Sequence, residues 1–255
     1  VDMKIQSQNV LDGVNHNTVF MVWNFKENVE IKEAFKNVCK LVINLNHSAN
    51  TRCPETKASV VMGIGFHAWN LLDLKKPLPK EFEEFQEIVG SKHTAVSTKG
   101  DLHFHIRGNY KSFCMDTATA ITDALREVAD CVEEIHGFKY WDGRSIIGFV
   151  DGTENPYGED RAYFGIIGDE DLEYKGCSYL FVQKYMHDLH AWRNLPVYEQ
   201  EKVIGRSKYE DIEMSDEVKP TNSHAALANV GDDAKIARDN MPFGNISTND
   251  MGTYF

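Results

Sequence analysis

The sequence predicts an α+β fold, and three observations carry that prediction. Residues 101–107 alternate cleanly, two long apolar stripes recur at helical spacing, and strand-like and helix-like segments follow one another in a recognisable order. Thr18 to Phe25 is rich in β-branched and aromatic residues and reads as a strand. Ile31, Ala34, Phe35, Val38, Leu41, Val42 and Leu45 then recur at helical spacing, an amphipathic helix with its apolar stripe turned inward. Ser59 to Phe66 is a second strand. From Asp101 to Arg107, Leu102, Phe104 and Ile106 fall on one face and His103, His105 and Arg107 on the other, as in a half-buried antiparallel strand whose polar face is exposed. A long helix follows Ser112, with Ala118, Ile121, Leu125, Val128, Val132 and Ile135 on one side and Gly137 as its C-cap. Strand, helix, strand, strand, helix is the order of a ferredoxin-like module, whose closing strand is expected just after Gly137.

The second half repeats the idea less clearly. Ile146 to Val150 reads as a buried strand stopping at Asp151, and Arg161 to Ile167, Cys177 to Lys184 and Lys235 to Arg238 read as further strands. Pro196 to Ile204 reads as a helix with Glu199 and Glu201 near its start. The break falls near Trp141-Asp142-Gly143, dividing the chain into an N-terminal module at 1–141 and a C-terminal module at 142–255. No fixed repeat is visible, so periodicity alone establishes only the class.

At 255 residues, 42% of them hydrophobic, the chain is long enough for one large domain or two small ones. Twenty-seven Lys and Arg against thirty-nine Asp and Glu give a net charge of −12, which excludes a nucleic-acid partner, because phosphate binding needs a basic face. The five cysteines are odd in number and widely spaced, with no Cys-x-x-Cys pair, and read as reduced thiols. The apolar runs are far below membrane-spanning length, and Val1 to Val10 lacks the basic-then-apolar order of a signal peptide, so a cytoplasmic protein without a membrane partner is expected.

The run Ile146-Ile147-Gly148-Phe149-Val150-Asp151-Gly152-Thr153-Glu154-Asn155-Pro156 is apolar before one carboxylate and turn-forming after it. Such a carboxylate is partly dry, and its pKa moves toward an acid/base range. From the run alone, a turn cap and a proton-handling group fit Asp151 equally well.

Two more segments, Asn222-Ser223-His224 and Lys235-Ile236-Ala237-Arg238-Asp239-Asn240-Met241-Pro242-Phe243-Gly244, shift that balance. With the Asp151 run they resemble the dye-decolourising peroxidases, which have Gly-x-x-Asp-Gly for a distal acid, Ser-His for a proximal haem ligand and an Arg-x-Asn-Met-Pro-Phe-Gly-like stretch for a distal arginine. All three occur here in that order. Similarity continues from Ser7-Gln8-Asn9-Val10-Leu11 through Val203-Ile204-Gly205-Arg206-Ser207-Lys208 to Gly252-Thr253-Tyr254-Phe255, and looks closest to the compact, B-type branch.

The resemblance implies two ferredoxin-like modules side by side, a dimeric α+β barrel-like arrangement of antiparallel sheets, with haem b (iron protoporphyrin IX) in the C-terminal module. It implies a peroxidase that reduces hydrogen peroxide with small organic reductants such as phenols or anthraquinone-type dyes, through a ferryl intermediate. His224 would ligate the iron, against the reading of a helix-start histidine bonded to backbone carbonyls. Asp151 and Arg238 would form the distal pair, with Asn240 positioning water or peroxide; the bland reading of Arg238 is an ion pair with Asp239 or Asp151. Gly152, Thr153, Glu154 and Asn155 would line the haem edge, Glu154 being equally a solvated turn residue. Arg206 and Arg238 would meet propionates, Arg206 being equally a solvated-loop residue.

Outside these motifs, His103 and His105 have metal-ligand spacing but no third ligand nearby. Val182, Tyr185, Leu189 and Trp192 read as core, with Trp192 or Tyr185 as alternative electron relays. In the family the chain runs on past Gly-Thr-Tyr-Phe, so a longer natural chain is expected here, with the C-terminal module incomplete. Expected partners beyond the substrates are further copies of the chain, as a homo-oligomer, and an encapsulating shell protein. Alternative readings are removal of iron from haem, haem binding and delivery, and cargo of such a shell.

Overall fold

A computed structural model describes residues 6–13 and 15–255. The reading of Val1 to Val10 falls in part on residues 1–5, outside the described residues. Two compact units are present, one running up to His136 and adding Ile166–Leu180, the other comprising Gly137–Gly165 and Phe181–Phe255.

In the first unit the β-branched and aromatic run forms strand Asn17–Phe25 (β1), and the apolar stripe that follows forms helix Lys32–Arg52 (α1). Ser59–Ile64 (β2) leads into helix Phe66–Leu71 (α2), and Ile88–Val89 (β3) and Thr94–Ala95 (β4) make a small exposed hairpin. Leu102–Gly108 (β5), helix Lys111–Leu125 (α3) and Ala129–Phe138 (β6) follow. The sheet order β2-β5-β1-β6 is the ferredoxin-like order, with β5 antiparallel to both β1 and β2 and Phe104 facing Met21 on one side and Met62 on the other. Leu102, Phe104 and Ile106 pack with Val19, Met21 and Trp23 under Val38 and Val42 of α1 and Ile121 and Leu125 of α3. Full burial of each such side chain contributes roughly 1.5–3 kcal/mol.

Two expectations are corrected here. Helix α3 ends at Leu125, with Arg126 N–H bonding Thr122 O at 2.9 Å and Val128 N–H bonding Leu125 O at 2.9 Å, so Gly137 is a strand residue and not a helix cap. Val128, Val132 and Ile135 keep a helical spacing, but they are β-branched, and strand pairing overrides the period; Val132 is left 52% exposed. The polar face of β5 is covered. Arg107 is 1% exposed and is satisfied by Ser59 Oγ at 2.9 Å, Asp12 O at 3.0 Å and Asn9 O. His105 stacks on Phe20 with ring centroids 4.7 Å apart. Burial lowers the His103 pKa to about 4 and that of His105 well below the usual imidazole range, leaving both neutral at pH 7.

The second unit contains helix Gly158–Gly165 (α4), strand Lys184–Met186 (β7), helices Leu189–Asn194 (α5), Val197–Ile204 (α6) and His224–Ala228 (α7), and strands Met241–Asn245 (β8) and Asp250–Tyr254 (β9). Strand β9 lies between β8 and β7, antiparallel to both, and Gly137, with which this unit begins, pairs with Phe243 of β8. The described strands form open sheets and close no barrel.

More of the sequence-based expectations fail in this unit. Ile146 to Val150 is a tight loop, closed by Ser145 N–H to Phe149 O at 2.8 Å and Asp151 N–H to Gly143 O at 3.0 Å, with Gly148 at φ +93° breaking any strand. Its Ile146 and Phe149 are nonetheless buried. Arg161 to Ile167 falls mainly in helix α4, whose first turn carries Glu159 and Asp160, favourable at a helix N-terminus. Residues 177–183 are irregular, their ends tied by Ile167 N–H to Cys177 O at 2.8 Å and by Gln183 N–H to Phe255 O at 2.9 Å. Lys235 to Arg238 is irregular because a side chain, and not a neighbouring strand, pairs with the Arg238 backbone. Of the apolar stripe only Leu189 is buried; Val182 and Tyr185 are 38% and 47% exposed. Among the described residues no helix is long and apolar enough to cross a membrane.

Candidate functional site

The segments that carry Asp151, His224 and Arg238 all belong to the second unit. Asp151 follows the tight loop, and its Oδ1 accepts from its neighbour Gly152 N at 3.0 Å and from Asn240 Nδ2 at 2.8 Å. Burial raises the Asp151 pKa above the usual carboxylate range, opposed by those two hydrogen bonds and by the charges of Arg238 and His224. Arg238 and His224 are therefore each within electrostatic reach of Asp151. Oδ2 of Asp151 has no partner among the described residues, so it is the oxygen open to a proton or a ligand.

Arg238 is held by its backbone. Asn155 Nδ2 donates to Arg238 O at 2.7 Å, and Arg238 N donates to Asn155 Oδ1 at 3.2 Å. Its Nη2 donates to Glu154 O at 3.1 Å, while Nε is buried with no acceptor among the described residues. A guanidinium N–H left in that state costs energy unless an anionic group meets it. Neither Asp239 nor Asp151 forms an ion pair with Arg238; Asp239 lies 3.7 Å from Arg161 instead.

His224 is the first residue of α7, whose N-cap Ser223 accepts from Ala226 N at 3.3 Å. No described residue hydrogen-bonds its ring, so the alternative of a histidine tied to backbone carbonyls is not what this arrangement contains. Helix α6 ends at Gly205, at φ +88°, where a Cβ would lie 2.9 Å from both Ala225 Cβ and Ser223 Oγ. That close approach is what sets the start of α7 against α6.

Arg206 is engaged by acids. Its Nε meets Asp211 Oδ1 at 2.8 Å and its Nη2 donates to Asp211 O at 2.8 Å, while Nη1 lies 3.7 Å from Glu154 and 3.8 Å from Glu213. Gly152 is open, with nothing within 4 Å of where a Cβ would stand, and Thr153 beside it makes no hydrogen bond among the described residues. Arg161, a residue that sequence reasoning missed, donates from Nη1 to Asn155 Oδ1 at 2.9 Å. Nothing in the local pattern marked it, because its segment reads as a strand.

A cavity of about 240 Å³ in this unit is lined by Ile147, Gly148, Leu189, Trp192, Gln200 and Lys208, and by none of the site residues above. There Trp192 Nε1 donates to Ile147 O at 2.9 Å and its ring meets Phe149 edge-on, a packing role. Among the described residues no three of His, Cys, Asp and Glu converge as a metal site.

Known proteins resemble the chain across both halves. The family model described as Dyp-type peroxidase, N-terminal, matches residues 7–139, and that described as Dyp-type peroxidase, C-terminal, matches residues 142–255. A curated dye-decolorizing peroxidase of Rhodococcus erythropolis is 45% identical over 253 residues, covering 97% of this chain and 73% of that protein. The encapsulated DyP-type peroxidase from Mycobacterium smegmatis, solved by cryo-EM, has a TM-score of 0.92 at 41% identity, over 98% of this chain and 81% of that one. A DypB variant of Rhodococcus jostii in complex with heme has a TM-score of 0.88 at 37% identity, over 97% of this chain and 81% of that one.

Proposed function

The chain belongs to the Dyp-type peroxidase family, and with that as premise we propose that this dye-decolorizing peroxidase works with haem b, reducing hydrogen peroxide at the expense of phenols or anthraquinone-type dyes. The observation that carries the reading is a half-buried carboxylate of raised pKa, Asp151, held by Asn240 beside a guanidinium whose Nε is buried without an acceptor among the described residues. A haem carrier has no use for that pair. The residues fit haem: the Arg238 guanidinium has the charge and fork that suit a propionate, the open face at Gly152 suits a flat ring edge, and the His224 imidazole has no competing hydrogen bond among the described residues. A relative that binds heme supports the same choice. His224 would hold the iron, and Arg238 the propionate; Arg206 is already occupied by Asp211 and is assigned the edge of the site, with Thr153 and Glu154.

When bound, haem would supply the redox-active iron for peroxide reduction. Asp151 Oδ2 would take a proton from peroxide and give it back to the oxygen that departs as water. Asn240 fixes Oδ1, so that Oδ2 is the oxygen presented. Arg238 stabilises negative charge on the departing oxygen. The encapsulated relative supports an encapsulating shell protein as a partner.

Absorption spectroscopy and stopped-flow mixing test this. Protein grown with haem should show a Soret band that His224→Ala abolishes. Asp151→Ala and Arg238→Leu should keep the band but react with peroxide about 10²-fold more slowly or worse, Arg238→Leu more severely and with looser haem. A His224→Ala variant with unchanged spectrum, or distal variants reacting at the wild-type rate, would overturn the assignments.

A further inference from the structure

Arg238 sits in an irregular segment, so no sheet hydrogen bonds set its direction. Its position comes from two side chains supplied by the Asp151 loop and by α4. One amide, that of Asn155, grips both polar groups of Arg238: Nδ2 gives a hydrogen bond to Arg238 O at 2.7 Å, and Oδ1 takes one from Arg238 N at 3.2 Å. Arg161 Nη1 donates to the same Oδ1 at 2.9 Å. Only an oxygen accepts, so Arg161 holds the amide in the single orientation that matches the Arg238 backbone.

Arg161 has a second task. Its Nη2 lies 3.7 Å from Asp239 Oδ1, in a pair whose side chains are only 15% and 17% exposed. Asp239 is the carboxylate next to Arg238 in sequence, and a low-dielectric setting strengthens whichever ion pair it makes. With the Asp239 charge set against Arg161, the Arg238 guanidinium is left to the site, its Nε without an acceptor among the described residues.

We propose that Asn155 and Arg161 are positioning residues of the peroxidase site, Asn155 fixing the Arg238 backbone and Arg161 both locking that amide and keeping Asp239 from neutralising Arg238. The inference rests on the distal role of Arg238 given above.

A double-mutant cycle on the haem-loaded protein tests it, reading the rate of reaction with peroxide and, independently of turnover, the affinity of the ferric protein for fluoride, a small anion that a distal N–H donor would hold. Asn155→Ala and Arg161→Met should keep the Soret band yet lower both quantities about 10- to 100-fold, the scale of a misplaced catalytic group. Each should add little to Arg238→Leu, since residues acting through one group are non-additive. Arg161→Lys, which keeps a charge beside Asp239 without the planar fork, should recover part of the loss, and Asn155→Asp, which keeps the acceptor alone, should recover less than wild type; these milder changes serve if the first pair folds poorly. Wild-type fluoride affinity and rate in all four variants, or losses fully additive with Arg238→Leu, overturn the proposal while leaving the distal assignment standing. An Arg238→Leu protein that is itself unchanged would overturn that assignment, and the proposal with it.

Discussion

Asp151 shows how one residue is placed at a cost to the fold. Its pKa is raised by burial, so the folded protein binds the proton more tightly than the unfolded chain does. Between the two pKa values the folded state holds more protons, and stability falls as pH rises through that window. Above it the carboxylate is a net penalty; below both values it contributes nothing. In protein prepared without haem, Asp151→Asn should therefore melt at a higher temperature than wild type at pH 7, and the gain should vanish near pH 3, below the usual aspartate pKa of about 3.9. Equal melting temperatures at both pH values would mean that the carboxylate is not under strain. The special setting of Asp151 was legible from neighbours one to five positions away, an apolar run and then turn formers. Arg161 was not legible, because its partners Asn155 and Asp239 reach it through the fold.

Elements were legible where period and burial agree. Strand β5 and helix α1 satisfy one period throughout; the structure places β5 and the start of α1 within a residue of where the pattern does, and α1 runs on past Leu45 to Arg52. Boundaries failed where a segment fits two periods, as between α3 and β6, and where a glycine or a side chain took over the backbone pairing, as at Gly148 and Arg238. The seating of α7 on α6 depends on a contact that no pattern announces. At Gly205 an added methyl meets Ala225 and Ser223 at 2.9 Å, and the residue sits at φ +88°. Gly205→Ala should cost about 1–3 kcal/mol in urea denaturation, and haem affinity should fall by more than the stability loss explains, because the displaced element carries His224. Unaltered haem affinity in a destabilised variant would separate the α6 terminus from the site.

Across the whole molecule, stability rests on a core that the site does not use. Phe104 is fully buried on β5, and Phe104→Ala should lower the unfolding free energy of the first unit by about 3–5 kcal/mol. A loss below about 1 kcal/mol would mean that the core closes over the gap, which close packing argues against. What the sequence by itself determined is the α+β class, the ferredoxin-like order of the first unit and, through three short motifs, the family and the candidate residues of the second. These are local: each is carried by residues within a turn or a strand of one another, where period and backbone preference act directly. Only the tertiary structure decided that the polar face of β5 is covered as well, that Asp151 meets Asn240 across 89 positions, and that Arg238 is gripped by Asn155 across 83. Such pairings follow from how burial and hydrogen-bond satisfaction are met together over the folded chain, and a linear pattern carries no record of which distant group will satisfy which.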